Sequence, residues 1–158
     1  MRPEKLIFHI DVNSAFLSWS ALERLRGQPG SLDLRTVPSA VGGDEESRHG
    51  VVLAKSTPAK KYGITTGEPL AAARRKCPGL IVVKSDFAVY VEQSNRLRSL
   101  LRRYTDAVIP YSIDEAWAEF ENFGRMYGEP EAFANKLRCE IKETLEIGRA
   151  SCRERVSY

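Results

Sequence analysis

Residues 107–121, AVIPYSIDEAWAEFE, are the stretch on which the fold turns. Residues 107–112 and 116–121 read as two strands with Ile113-Asp114-Glu115 between them, which predicts a β-hairpin with two carboxylates at or near its turn. Upstream, Asp86 caps a helix over about 87–104, in which Phe87, Tyr90, Ser94, Leu97, Leu101 and Tyr104 recur at helical spacing. Arg96, Arg98, Arg102 and Arg103 fill its polar side. Downstream, Phe133, Leu137, Ile141 and Leu145 repeat at spacing four and predict a last helix over about 130–145. At the N-terminus, residues 5–12 (KLIFHIDV) read as a short, mostly buried strand with Asp11 arriving at its C-terminal end. Asn13 is the expected N-cap of a helix over 14–26, stopped by Gly27.

The middle of the chain has another character. Residues 27–50 are rich in Gly, Pro, Ser and charge and read as loops around one short strand, 36–41. Residues 50–55 (GVVLAK) read as a strand, Thr57-Pro58 opens a helical turn through Tyr62, and Gly63 closes it. A helix over 70–76 and a strand over 80–83 follow. Gly42, Gly43 and Gly63 are expected to serve loops and a helix end, where φ is positive. The order strand, helix, insertion, helix, hairpin, helix predicts an α+β fold: an antiparallel sheet with helices on one face and a small inserted α/β segment.

Composition narrows the class. The 158 residues are 42% hydrophobic and 28% charged, a globular balance rather than a disordered one. No apolar run approaches the roughly 18 residues of a membrane span, and the start, MRPEKLIFHIDV, lacks a signal-peptide pattern. Cys77, Cys139 and Cys152 form no CxxC, and His9 and His49 are the only histidines, so neither a zinc site nor a disulfide framework is expected. A reducing, cytoplasmic setting follows as the default. The net charge of +3 does not by itself identify a nucleic-acid partner.

The carboxylates carry the chemistry. Hard divalent cations require clustered oxygen ligands on a rigid base, and Asp11 at a strand end with Asp114 and Glu115 in a hairpin offers the residue types. Two such ions can clamp the attacking and leaving oxygens of a phosphoryl or nucleotidyl transfer. An aspartate in a turn is also an ordinary solvated turn residue, and a separation of about a hundred residues does not by itself bring Asp11 to Asp114. A polymerase, a metal-dependent nucleotidyl cyclase or phosphohydrolase, and a non-catalytic α+β binding module all remain compatible with these residues alone.

Three segments, HIDVNSAFLSW, LAKSTPAKKYGITTGEP and YSIDEAWAEF, in this order and at these separations, resemble the Y-family (translesion) DNA polymerases, nearest the polymerase IV-like branch. The resemblance spans residues 5–146 and is anchored by the S-x-D-E motif at Ser112 to Glu115. It implies a palm over 1–22 and 81–146, incomplete here, with fingers inserted over 23–80. It also implies deoxynucleotide addition opposite damaged bases with two Mg²⁺ ions, acting on primer–template DNA and dNTP without a membrane. Residue by residue, Asp11, Asp114 and Glu115 match the metal-binding, catalytic carboxylates, and the Val12 carbonyl a fourth ligand. Phe16 matches the steric gate that would clash with a ribose 2′-hydroxyl, and on residues alone it is a helix-packing aromatic. Ser14 and Ala15 match positions bordering the triphosphate. Thr57 and Lys60 fall where the family usually carries a Tyr-x-x-Arg pair, a departure that keeps a hydroxyl and a charge but loses arginine's planar two-point grip. Lys55 and Lys61 are expected as solvated charges and Tyr62 as a packing residue. The arginines of 87–104 suit DNA phosphates or a plain polar face.

The family continues into a further palm strand, a thumb and a little finger, and a sliding clamp is a possible partner of the longer protein. Here the pattern departs near Leu145. Residues 147–158 lack a hydrophobic period, and EIGRASCRERV looks like the conceptual translation of a sequencing adaptor, so they are expected to be a non-native tail. Without residues 148–158 the chain has 21 basic and 20 acidic residues, a net charge of +1.

Overall fold

A computed structural model describes residues 5–43 and 50–147, and the backbone of 152–157. His49, Arg149 and the side chains of Cys152, Arg153, Glu154 and Arg155 lie outside the described residues. The chain forms two compact units, Met1–Asn13 with Val91–Tyr158, and Ser14–Tyr90.

The first unit is built on a four-stranded sheet in the order β5-β6-β1-β7, from β1 (Lys5–Val12), β5 (Val108–Pro110), β6 (Glu115–Glu121) and β7 (Cys152–Ser157). All its pairings are antiparallel. Along β1, Leu6, Phe8, Ile10 and Val12 are buried and the residues between them are not, the period-two pattern of a sheet packed on one face. Ala116, Ala118 and Phe120 of β6 share that face. It meets α6 (Pro130–Thr144), started by Pro130 at its first turn and burying Phe133, Ala134, Leu137 and Ile141. Phe8 stands edge-on to Phe120 at 5.4 Å and tilted to Phe133 at 5.6 Å, and Phe123 of α5 (Phe123–Met126) completes the aromatic core. The short α5, entered through Asn122 in the left-handed region, has no counterpart in the sequence expectation.

The second unit holds a three-stranded sheet in the order β3-β2-β4, from β2 (Ser39–Gly42), β3 (Val52–Lys55) and β4 (Ile81–Lys84). Strand β2 pairs antiparallel with β3 and parallel with β4, and the long connection that a parallel pair needs runs through β3, α2 (Thr57–Lys60) and α3 (Leu70–Lys76). Ala40, Val52, Ala59, Ile64, Leu70, Ala73, Cys77 and Leu80 form its core. The remaining helix of this unit is α1 (Ala15–Gly27). The helix α4 (Phe87–Leu101) contains the division between the units. Asp86 caps it as expected, accepting from the amides of Ala88 (3.1 Å) and Val89 (3.3 Å).

The fold class is the expected α+β, and several local details differ. Helix α1 begins one residue late: its N-cap is Ser14, at φ 52°, and no side chain caps it. The end of α4 tightens at Leu101 into a closing turn, in which Tyr104 N–H bonds to the Leu101 carbonyl. Gly63 has the expected positive φ of 72°, but Gly42 lies within β2 at a shift of register with β3. What Gly42 supplies is space, since a Cβ there would stand 2.7 Å from Leu70 Cδ1. Tyr62 is 49% exposed rather than packed. Residues 152–157 pair with β1, from Val12 opposite Cys152 to Ile7 opposite Ser157. Main-chain pairing of this kind demands no hydrophobic period, because the free edge of β1 offers N–H and C=O groups to any extended segment.

Candidate active site

In the first unit, the register brings Asp11 directly opposite Glu115. Val12 N–H donates to the Asp114 carbonyl at 3.0 Å, which makes 12/114 the hydrogen-bonded pair and 11/115 the close, non-bonded one. Side chains of such a pair stand about 4.5–5.5 Å apart at Cβ, and like charges there destabilise a sheet. The burial alternation turns both carboxylates away from the core. A sheet that places two carboxylates face to face on its open side has the donor chemistry for a hard cation: oxygen-only ligands on rigid strands, with the Val12 backbone beside them.

Asp114 is the last residue before β6, and its carboxylate accepts the Ser112 hydroxyl at 2.7 Å. Glu115 accepts from His9 Nε2 at 2.9 Å. Asp114 and Glu115 are thus each hydrogen-bonded within the protein, and among the described residues no three His, Cys, Asp or Glu side chains form a metal-binding group. The imidazole of His9 lies flat on Trp117, with centroids 4.4 Å apart and planes 13° apart, and Tyr111 meets it edge-on. His9 is a site neighbour that the sequence reading passed over. Its signal was its position, two residues before Asp11 on the same face of a strand.

The second unit carries the remaining candidates. Ser14 is exposed in the left-handed region, and its carbonyl accepts the Ser18 amide as the first bond of α1. Ala15 begins the helix and is buried. Phe16 is half-buried and stacks on Tyr90, with centroids 4.6 Å apart and planes at 19°. Trp19 and Phe87 flank it, and Tyr90 is fixed from behind by a 2.7 Å hydrogen bond with Ser20. This aromatic stack gives Phe16 a single resting orientation.

Thr57 and Lys60 are exposed on α2, which packs against β2, and α1 packs against β2 and β3. Lys61 is exposed, as expected. Lys55 departs from the expected solvated charge. It is half-buried, donates to Thr66 Oγ1 at 3.0 Å, and is held below the ordinary lysine range, first by burial and then by the charge of Lys60. Lys55 thus stands within the field of Lys60, with the carboxylate of Glu68 acting against it.

The arginines of α4 and of the turn that closes it are largely engaged within the protein. Arg96 donates to the Thr144 carbonyl at 2.7 Å, Arg98 to Ser94, and Arg103 pairs with Glu140 at 3.0 Å. Arg102, in the turn after α4, is exposed.

A model of the impB/mucB/samB family matches residues 10–152. The DNA polymerase IV of Clostridium acetobutylicum is 52% identical over 141 residues, 89% of this chain and 35% of that protein. The DNA polymerase IV of Acetivibrio thermocellus is 37% identical over 144 residues, 91% of this chain and 34% of that protein. The chain thus spans about a third of the length of the curated relatives it matches. Among solved structures, DinB from Sulfolobus solfataricus superposes with a TM-score of 0.76 at 24% identity, over 96% of this chain and 42% of that one. An insertion ternary complex of Dbh DNA polymerase gives 0.75 at 23%, with 96% and 42% coverage. At these identities the two structures show a shared fold.

Proposed function

Because the chain belongs to the impB/mucB/samB family, we propose that it carries the catalytic centre of a Y-family translesion DNA polymerase, which adds deoxynucleotides to a primer along a damaged template. The observation that carries this reading is the pairing of Asp11 with Glu115 beside Asp114 at one end of β1 and β6. Like charges set face to face on a rigid sheet favour a cation between them. Two Mg²⁺ ions held by Asp11, Asp114, Glu115 and the Val12 carbonyl would supply activation of the primer 3′-hydroxyl and neutralise charge on the leaving pyrophosphate. The strands would keep those oxygens fixed as charge shifts.

In the same reading Ser14 and Ala15 border the triphosphate, and Lys60 offers it a cation with Thr57 a hydroxyl beside it. Lys60 attracts phosphate as a point charge, so orientation depends more on the rest of the pocket than it would with arginine. Phe16, held by its stack on Tyr90, would exclude a ribose 2′-hydroxyl by collision. The palm would comprise residues 1–22 and 81–146, and the fingers residues 23–80. Primer–template DNA and dNTP are the proposed partners, with a sliding clamp for the longer protein, in the cytoplasm. No helix among the described residues is long and apolar enough to cross a membrane.

The test is binding of Mn²⁺ and dNTP by the chain. Asp114→Ala is expected to abolish metal binding, and a wild-type chain that binds no divalent cation would sink the proposal. Phe16→Ala is expected to narrow the preference for dGTP over GTP by about tenfold or more, equivalent to ~1.4 kcal/mol. An unchanged preference would remove Phe16 from the gate.

A further inference from the structure

We propose that His9 is a positioning residue for the metal-binding carboxylates, fixing Glu115 through the hydrogen bond from its Nε2 while Trp117 fixes His9. The inference rests on the metal site proposed above. A carboxylate only accepts, so the 2.9 Å contact requires the hydrogen on Nε2. Glu115 Oε2 is thereby occupied by a protein donor, which leaves Oε1 for a cation. The geometry is over-determined in the way a positioning device needs. His9 and Trp117 are opposite one another in register, so the stacked rings come from the same close type of pair as Asp11 and Glu115. His9 reaches diagonally from its own pair to the next one, and Tyr111 closes the ring edge from β5's end of the hairpin. The side chain of His9 is 17% exposed and that of Glu115 28%, so the bond is partly shielded from water.

Without the bond, Glu115 stands at the start of β6 opposite another carboxylate, with several rotamers open to it. With it, one oxygen is aimed before any cation arrives. Hydrogen bonds of this kind to ligating groups are worth about 10–100-fold in metal affinity.

Two substitutions separate positioning from packing. His9→Phe keeps an aromatic ring to stack on Trp117 and removes the donor. His9→Gln keeps an N–H donor and removes the ring. Mn²⁺ is titrated into the full chain by water-proton relaxation, and thermal melts are recorded alongside. The expected result is about tenfold weaker Mn²⁺ binding in His9→Phe and near wild-type binding in His9→Gln, with the reverse order in melting temperature. In a Glu115→Ala background, His9→Phe is expected to cause no further loss. Wild-type affinity in His9→Phe overturns the inference and leaves the metal site standing. Equal loss in a folded His9→Gln overturns it as well. No Mn²⁺ binding by the wild-type chain overturns the metal site and the inference together. Should His9→Phe fail to melt cooperatively, His9→Met supplies the donor-free variant.

Discussion

Tyr104 shows how a single side chain ties the fold to pH. Burial pushes its phenol up to about 12, and the hydrogen bond to Glu140 adds to the rise. Arg103 pairs with the same Glu140, so one carboxylate serves both groups. The folded phenol ionises later than the ordinary value of 10.0, and the unfolded chain therefore releases this proton first. The contribution to stability is whole below about 10 and is lost as pH climbs toward about 12. Chemical denaturation across that range should show a steep alkaline loss in the wild type and a shallower one in Tyr104→Phe. Parallel curves would mean that Tyr104 is not the linked group. The sequence placed Tyr104 on an apolar helical stripe, but α4 ends at Leu101 and Tyr104 falls in the turn that closes it. Its partner Glu140 lies 36 residues away on α6, where no local pattern points.

Among the elements, α2 depends on one hydroxyl. Ser56 Oγ accepts from the amides of Ala59 (3.1 Å) and Ser39 (3.0 Å) and donates to the Val37 carbonyl (2.7 Å). It caps the helix that carries Thr57 and Lys60 and joins that helix to the start of β2. Ser56→Ala strands two amides and a carbonyl in a buried place. It should cost about 2 kcal/mol or more in denaturant melts, against ~1 kcal/mol for an exposed cap alone. A loss near the lower figure would show that water satisfies those groups. The helical turn was legible because Thr57-Pro58 is a local signal. Ser56's link to Ser39 was not, since it depends on where β2 lies. Gly42 is a similar case: its identity is read at once, but its reason is the Leu70 side chain above it.

At the scale of the whole molecule, the chain covers about a third of its relatives' length. Relatives are about three times as long as the matched segment, and most phosphate contacts that dominate DNA affinity would lie outside it. The chain should bind Mn²⁺ and nucleotide weakly and extend a primer poorly, and robust templated synthesis by residues 1–158 would refute this. By itself the sequence determined the α+β class, the family and the order of the elements apart from α5 and β7. Periodicity, caps and motifs are local, and they survive without knowledge of what packs where. Only the tertiary structure decided that Asp11 faces Glu115, that His9 holds Glu115 across 106 residues, and that Lys55 is drawn in beside Lys60. For the carboxylates and His9 the physical reason is register: a slip of one residue between β1 and β6 would put Asp11 and His9 on the face opposite Glu115, and that choice is made by the two strands and the core beneath them together. For Lys55 it is the placing of α2, which carries Lys60.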